Sequence, residues 1–148
     1  MTENNPEMLV RPVGYVRSPA STTPSEEDWW MDLVSEIVMD ESLVEALDQL
    51  DYFTYITVLF WMHKRDRSNL PMKINPMGRK DIPKRGLFAT RTPDRPNPIG
   101  QTTVRLLGCE GNVLTVQGLD ALDGSPVIDI KPWNPGYDSL EGNESAGE

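Results

Sequence analysis

The sequence predicts a mainly β fold, a small antiparallel sheet closed into a barrel with little helix. Three observations carry this. About six runs are rich in β-branched and aromatic residues and are bounded by turn chemistry. Only one segment carries a full helix start signal, and strands never alternate with helical patterns as a parallel sheet requires. A Rossmann fold is excluded on its own ground, because no Gly-x-Gly-x-x-Gly run opens a helix.

Residues 1–8 are polar and are expected to be disordered. The first strand reads from Leu9 to Pro19, with β-branched Val10, Val13 and Val16, Pro12 near its start and Ser18-Pro19 ending it. Ser21 to Glu27 is a loop of small and acidic residues, interrupted by Trp29 and Trp30, which read as an apolar pair closing the core. Met31 to Met39 reads as a second strand. Ser42 then opens a helix, SLVEALDQL, with Ser42 as N-cap, Glu45 at the capping-box position, and Leu43, Ala46, Leu47 and Leu50 spaced for one apolar face.

From Tyr52 to Met62 the residues turn aromatic and β-branched, the pattern of a strand buried on both faces. It breaks at His63-Lys64-Arg65, as when a strand delivers side chains to a pocket mouth or emerges into solvent. Asp66 to Arg85 has no apolar period and reads as a long basic loop, functional or disordered. Gln101–Leu107 and Val113–Gln117 form a hairpin around Cys109-Glu110-Gly111-Asn112. Asp120 to Gly124 is a tight turn, and Pro126–Trp133 a last strand carrying Asp129 and Lys131. From Gly136 onwards the chain lacks a core pattern, and residues 139–148 are expected to be a disordered acidic tail.

A length of 148 residues fits one domain, placed at 9–138. Cys109 is the only cysteine and His63 the only histidine, so one chain can assemble neither a disulfide framework nor a Cys/His zinc cluster. Metal-free chemistry is expected. No basic flank joins an apolar core at the N-terminus, and Thr57–Met62 is far too short to span a bilayer, which points to a reducing cytoplasm and no membrane partner. The formal net charge of −9 argues against nucleic acid, but its distribution is uneven. Residues 1–62 hold two basic and twelve acidic side chains, residues 63–105 eleven basic and three acidic, and residues 106–148 one basic and eight acidic. The basic third is either a footprint for a phosphate backbone or internally paired with its acidic flanks.

The stretch least explained by folding alone is Gly86 to Gly100, GLFATRTPDRPNPIG. Pro93, Pro96 and Pro98 fix φ, remove donors and push their predecessors towards extended geometry, so the segment is a stiff loop. Held in such a loop, Arg91 and Arg95 suit an anion or adenine clamp, since part of their ordering cost is met in advance. A structural proline turn with solvated arginines fits the same residues.

The run FATRTPDRPNPIG, followed by LDALDGSPVIDIKPW from Leu119 to Trp133, resembles the TsaA-like family of TrmO-type methyltransferases. The resemblance extends through TVLFWMHKR to VGYVRSP, covering about Pro12 to Asp138, and is greatest to the short archaeal-type members. It implies a β-barrel that binds S-adenosylmethionine, a homodimer with the cofactor near the subunit interface, and tRNA as substrate. The acceptor it implies is N6 of N6-threonylcarbamoyladenosine beside the anticodon. By position it assigns His63, Lys64, Arg91, Gln101, Gln117, Gly118, Leu119 and Asp120 to the cofactor, and one indole of Trp29-Trp30 to the pocket cover. Arg95, Asn97 and Lys131 fall in or around the site, with Lys80, Lys84 and Arg85 as basic candidates for the RNA. Asp129, Asp123 and His63 are the candidate bases for a weakly nucleophilic, urea-like nitrogen; turn formation and strand-end hydrogen bonding are the structural reading of the two aspartates, and for Asp123 that reading weighs at least as much as catalysis. Ser125 stands where the family has threonine and Trp133 where it has tyrosine. Two other readings stay open: a methyltransferase of the same fold acting on a small molecule or another nucleoside, and a non-enzymatic S-adenosylmethionine-binding module.

Overall fold

Six strands close on themselves in the order β1-β2-β7-β6-β3-β8, every neighbouring pair antiparallel. They are β1 (Gly14–Arg17), β2 (Val34–Met39), β3 (Tyr55–Trp61), β6 (Ile99–Glu110), β7 (Val113–Gln117) and β8 (Pro126–Pro132), with a separate two-stranded ribbon of β4 (Lys73–Ile74) and β5 (Arg85–Gly86). The structure is a computed structural model and describes residues 6–64 and 68–140. The expectations for Arg65, Asp66 and Arg67, for residues 1–5 and for the tail from residue 141 lie outside the described residues.

Closure leaves the barrel strands without an edge, and a barrel this narrow is filled by its own side chains. Alternation selects them: Ile56, Val58 and Phe60 of β3 point inwards and meet Val16, Ile37, Val104, Leu114, Val116 and Val127 from the other five strands. Each such side chain contributes about 1.5–3 kcal/mol by leaving water. The outer row of β3 is only partly covered: Thr57 is buried, Leu59 and Trp61 are half-buried and Tyr55 is exposed, so the strand is sealed on one face rather than two.

Several elements differ from expectation. The first strand begins at Gly14, and the second at Val34 after a run of turns from Glu27 to Asp32. The expected α-helix is a 3-10 helix, Glu41–Leu47. Asp40, not Ser42, caps it, its carboxylate accepting from the Ser42 amide at 2.9 Å and the Ser42 hydroxyl at 2.7 Å. At three residues per turn the expected apolar face is lost: Ala46 is exposed, and Leu47 alone of the segment is fully buried. Gln49, at φ 67°, then breaks the run.

The long basic loop is partly built. Its ends pair as β4 and β5, and the Asn75 side chain donates to the Ile82 carbonyl at 2.9 Å to hold the turn between them. The β6–β7 hairpin turns on Gly111-Asn112 alone, with Gly111 at φ 61°, the position where a two-residue turn takes glycine. After β8 the chain forms a short helix, α1 (Pro135–Asp138), because the Asn134 side chain caps Gly136 at 2.9 Å.

This topology sorts the connections. The β1–β2 segment (18–33), the described part of the β3–β6 segment (62–98) and the β7–β8 turn (118–125) all lie at one end of the barrel, whereas the two 3-10 helices of the 40–54 connection, the β6–β7 turn and α1 lie at the other.

Candidate functional site

The three connections at the first end are tied to one another. The Ser18 amide donates to the Asp123 carboxylate at 2.9 Å, the Asp123 amide to the Ala20 carbonyl at 2.8 Å, and the Lys64 ammonium to the Ser21 carbonyl at 2.7 Å. The Met62 amide donates to the Pro98 carbonyl at 2.7 Å, so the proline loop continues the barrel wall past the end of β3. Between these segments lies a cleft with two lobes of about 430 and 230 Å³. Phe60, Met62, Arg91 and Asp120 line both. The larger lobe lies in the usual size range of small-molecule sites.

Trp29, Trp30, His63, Lys64 and the segment Ser21 to Thr23 wall the larger lobe, with Leu122 and Ser125 from the β7–β8 turn. Both indoles are half-buried at the cleft rather than sealed in the core. Arg95, Gln101, Gly100 and Thr102 wall the smaller lobe. Gly100 permits this shape: a Cβ there would lie 2.5 Å from Phe60 Cζ and 2.7 Å from Cε2, so only glycine lets the ring form the shared floor.

The polar groups are held in place. One Arg91 nitrogen donates to the Gln101 carbonyl, fixing the guanidinium where the lobes meet and leaving its other donors for a ligand. Arg95 donates to the carbonyls of Thr90 and Thr92, both at 3.0 Å, and so also staples its own loop. Thr102 donates its hydroxyl to Asp120, orienting that carboxylate. The pKa of His63 is lowered from 6.5, chiefly because burial disfavours the imidazolium and next because Lys64 repels it, while the Trp61 backbone and the charge of Asp123 pull the other way. The shift favours the neutral imidazole over the imidazolium at pH 7, although the residue is exposed.

The cleft thus gathers His63, Lys64, Arg91, Arg95, Gln101 and Asp120. Other expected positions lie elsewhere. Leu119 is fully buried in the barrel core, which leaves only its backbone for a ligand. Gln117 ends β7, and the Gly118 amide is spent on the Leu33 carbonyl at 3.0 Å. Asp123 lines neither lobe; its carboxylate holds the turn, as the alternative reading expected. Asn97 is exposed outside both lobes, as are Lys80, Lys84 and Arg85 in the ribbon segment.

Asp129 and Lys131 are displaced for a backbone reason. Leu59 pairs with Asp129 but Phe60 with Val127, so Ile128 is an extra residue that reverses the alternation. Ile130 is thereby turned towards the core, and Asp129 and Lys131 stand on the outer face beside Leu59 and Thr57, ion-paired at 3.0 Å. The family-specific replacements are mild here. Ser125 keeps a hydroxyl, donated to the Leu122 carbonyl at 2.6 Å, and Trp133 packs edge-on against Tyr55 at the far end of the barrel.

Phe60, Met62, Thr102 and Ser21 to Thr23 are site residues that sequence reasoning missed. The inward parity of Phe60 and Met62, set by Ile56 and Val58, was the available signal; nothing local marks the Ser21 carbonyl as the partner of Lys64.

A closed antiparallel barrel with a nucleoside-sized cleft among the loops of one rim defines a small-molecule-binding barrel protein outside the α/β nucleotide-binding folds. Within that class the sequence is specific. Residues 16–139 match the tRNA-methyltransferase O N-terminal domain, and the chain belongs to that family. A relative in Archaeoglobus fulgidus, named S-adenosyl-L-methionine-binding protein, is 42% identical over 142 residues, covering 93% of this chain and 99% of its own. The rat tRNA (adenine(37)-N6)-methyltransferase is 33% identical over 144 residues, and there this chain spans only 33% of the relative. The crystal structure of TrmO from Pseudomonas aeruginosa superposes with a TM-score of 0.75 at 31% identity, covering 96% of this chain and 63% of that one.

Proposed function

We propose that this protein is an S-adenosylmethionine-dependent methyltransferase acting on N6 of N6-threonylcarbamoyladenosine beside the anticodon of tRNA. The observation that carries the reading is the two-lobed cleft with Arg91 and Asp120 at its waist. Its groups suit the cofactor chemically: a fixed guanidinium for a carboxylate or adenine edge, an oriented carboxylate for hydroxyls, and indole faces that favour a cation. Family membership and the names of the rat and archaeal relatives support the same activity.

S-adenosylmethionine supplies a methyl group on a sulfonium, with the S–CH₃ electron pair returning to sulfur as the N–CH₃ bond forms. The protein's part is to hold the acceptor nitrogen in line, exclude water and take up one proton. We assign His63, on the wall of the larger lobe and with its neutral form favoured, as the group that accepts the N6 proton. Asp123 acts on His63 through its charge rather than as the base. Lys80, Lys84 and Arg85 form no ion pair among the described residues, which supports a phosphate footprint over pairing with the acidic flanks.

The same proposal includes one domain over residues 9–138, a cytoplasmic protein and a homodimer. Among the described residues no helix is long and apolar enough to cross a membrane. The outer face of β8, β3 and β6 supports the dimer: it exposes Tyr55 and Ile99 beside Leu59 and Trp61 and carries Asp129, Lys131 and the Gln101 side chain, so a second copy seated there would adjoin the smaller lobe.

Incubation with labelled S-adenosylmethionine and total tRNA, followed by nucleoside mass analysis, tests the activity. The expected product is N6-threonylcarbamoyladenosine heavier by one methylene. Label that appears only in the small-molecule fraction of an extract moves the small-molecule reading ahead, and tight cofactor binding with no transfer at all leaves a binding module.

A further inference from the structure

Phe88 is a large apolar side chain turned outwards three positions before the cleft residue Arg91. It sits in the 3-10 turn Leu87–Ala89, between β5 and Arg91, and is 83% exposed. Its outward direction is built in. Leu87 before it is buried, the Leu87 amide donates to the Met72 carbonyl at 3.1 Å, and the Thr90 amide and hydroxyl return to the Leu87 carbonyl at 3.1 and 2.8 Å. A turn anchored on both sides of Phe88 cannot fold the ring back into the core.

Its surroundings select a partner. The described residues of the 62–98 connection carry eight basic and two acidic side chains, whereas those of the facing 18–33 connection carry four acidic and no basic ones. The mouth of the cleft is therefore electrostatically lopsided, which favours the approach of a polyanion over the ribbon side. Arg85 and Lys84 stand just before Phe88. Phe88 precedes Arg91, at the waist of the cleft, by three positions, a reach of at most about 11 Å.

We propose that Phe88 is a base-stacking platform: it receives an unpaired nucleobase adjacent to the one inserted in the cleft, while Arg85 and Lys84 hold the intervening phosphates. This rests on the tRNA reading above and names a residue that reading does not use. The chemistry is that of single-stranded RNA recognition, where an exposed aromatic face takes a splayed base irrespective of its identity. It also fits what a methyl acceptor in a loop requires, since a base entering a cleft this deep must leave its stack, and a neighbour left unstacked needs a new surface.

The test compares Phe88→Ala, Phe88→Leu and Phe88→Trp with the parent protein in filter binding to total tRNA, in tRNA methylation and in calorimetric binding of S-adenosylmethionine. Stacking predicts that Phe88→Ala weakens tRNA binding and raises its KM about five- to a hundredfold, that Phe88→Leu is nearly as poor, and that Phe88→Trp is as good as the parent. The salt slope stays that of the parent because no charge is removed, and cofactor affinity stays within twofold. Unchanged tRNA affinity in Phe88→Ala overturns the proposal, as does full activity of Phe88→Leu, which would show plain apolar contact. A fall in oligomeric mass in Phe88→Ala assigns the ring to a contact with a second copy instead. If the parent protein binds tRNA in a Phe88-dependent way but transfers no methyl group, the activity fails and the platform stands; if it binds no tRNA, both fail.

Discussion

Replacing Arg91 by alanine is the sharpest probe of the cleft. Arg91 bounds both lobes, with one of its nitrogens occupied by the Gln101 carbonyl. On the reading that Arg91 binds the cofactor, truncation removes a charge-assisted hydrogen bond worth about 1.5–3 kcal/mol, which is roughly a tenfold to hundredfold loss of S-adenosylmethionine affinity. It also frees the Gln101 carbonyl, but that contact is exposed and water replaces it, so the fold persists. Lysine keeps the charge without the planar fork, and Arg91→Lys should recover only part of the loss. Calorimetry on each variant, paired with a thermal melt to establish folding, makes the comparison. A folded Arg91→Ala protein with an unchanged dissociation constant would refute the argument that the waist of the cleft is the cofactor site.

Gly100→Ala should destabilise the protein by about 1–3 kcal/mol and weaken cofactor binding together, because the new Cβ falls 2.5 Å from a buried Phe60 ring that floors both lobes; a denaturant melt and calorimetry on one sample report the two effects. Because the folded-state pKa of His63 is depressed, protonation favours the unfolded chain: His63 should cost stability only as pH falls below its ordinary 6.5, and if it is the base, methyl transfer should rise through a pKa under 6.5 and level off above it. A pH–rate profile whose acidic limb survives His63→Gln excludes His63 as the base. Neutralising Lys80, Lys84 and Arg85 together should weaken tRNA binding and flatten its salt dependence by somewhat less than one unit of log–log slope per lost phosphate contact, with cofactor affinity spared; an unchanged slope returns the small-molecule reading to the front.

What the sequence made legible follows from where its signals are local. Tyr55 to Trp61 reads as a strand because each residue states the same preference, and the inward row Ile56, Val58 and Phe60 can be taken straight from alternation. The Ser42 helix misleads because two caps compete and the Asx interaction of Asp40 wins two residues earlier, which shifts the segment to a tighter period. Arg91 and Lys64 were identifiable from motif and position, but their partners, the Gln101 and Ser21 carbonyls, are backbone atoms without a residue-type signature. The Asp129 misplacement is the most instructive. Counting from Val127 puts Asp129 and Lys131 inside, and only the unpaired Ile128, a feature of strand register that no residue type announces, turns both outwards.

The acidic composition and an RNA partner are reconciled by the same topology. The far end of the barrel carries the 40–54 connection, whose five acidic side chains, Asp40, Glu41, Glu45, Asp48 and Asp51, have no basic residue among them, and Glu110 at the hairpin turn adds to the same end. The cleft end carries the 62–98 connection with its excess of cations. Charge separated along the barrel axis makes a dipole whose positive end is the mouth of the site. A phosphate chain is then repelled by the protein as a whole and attracted by one end, so long-range electrostatics orients the encounter as well as favouring it. The acidic 18–33 rim sharpens the effect, since it leaves the ribbon side as the single basic approach to the cleft, and Phe88 stands on that path. Making that far end less acidic, by replacing Asp48 and Asp51 with lysine, takes the formal net charge from −9 to −5 and should speed tRNA association at low salt by easing the whole-protein repulsion, without touching the cleft; the difference should vanish as the Debye length shrinks below about 8 Å. Stopped-flow association at two ionic strengths measures it; equal rates at low salt would show that only the charges at the mouth matter.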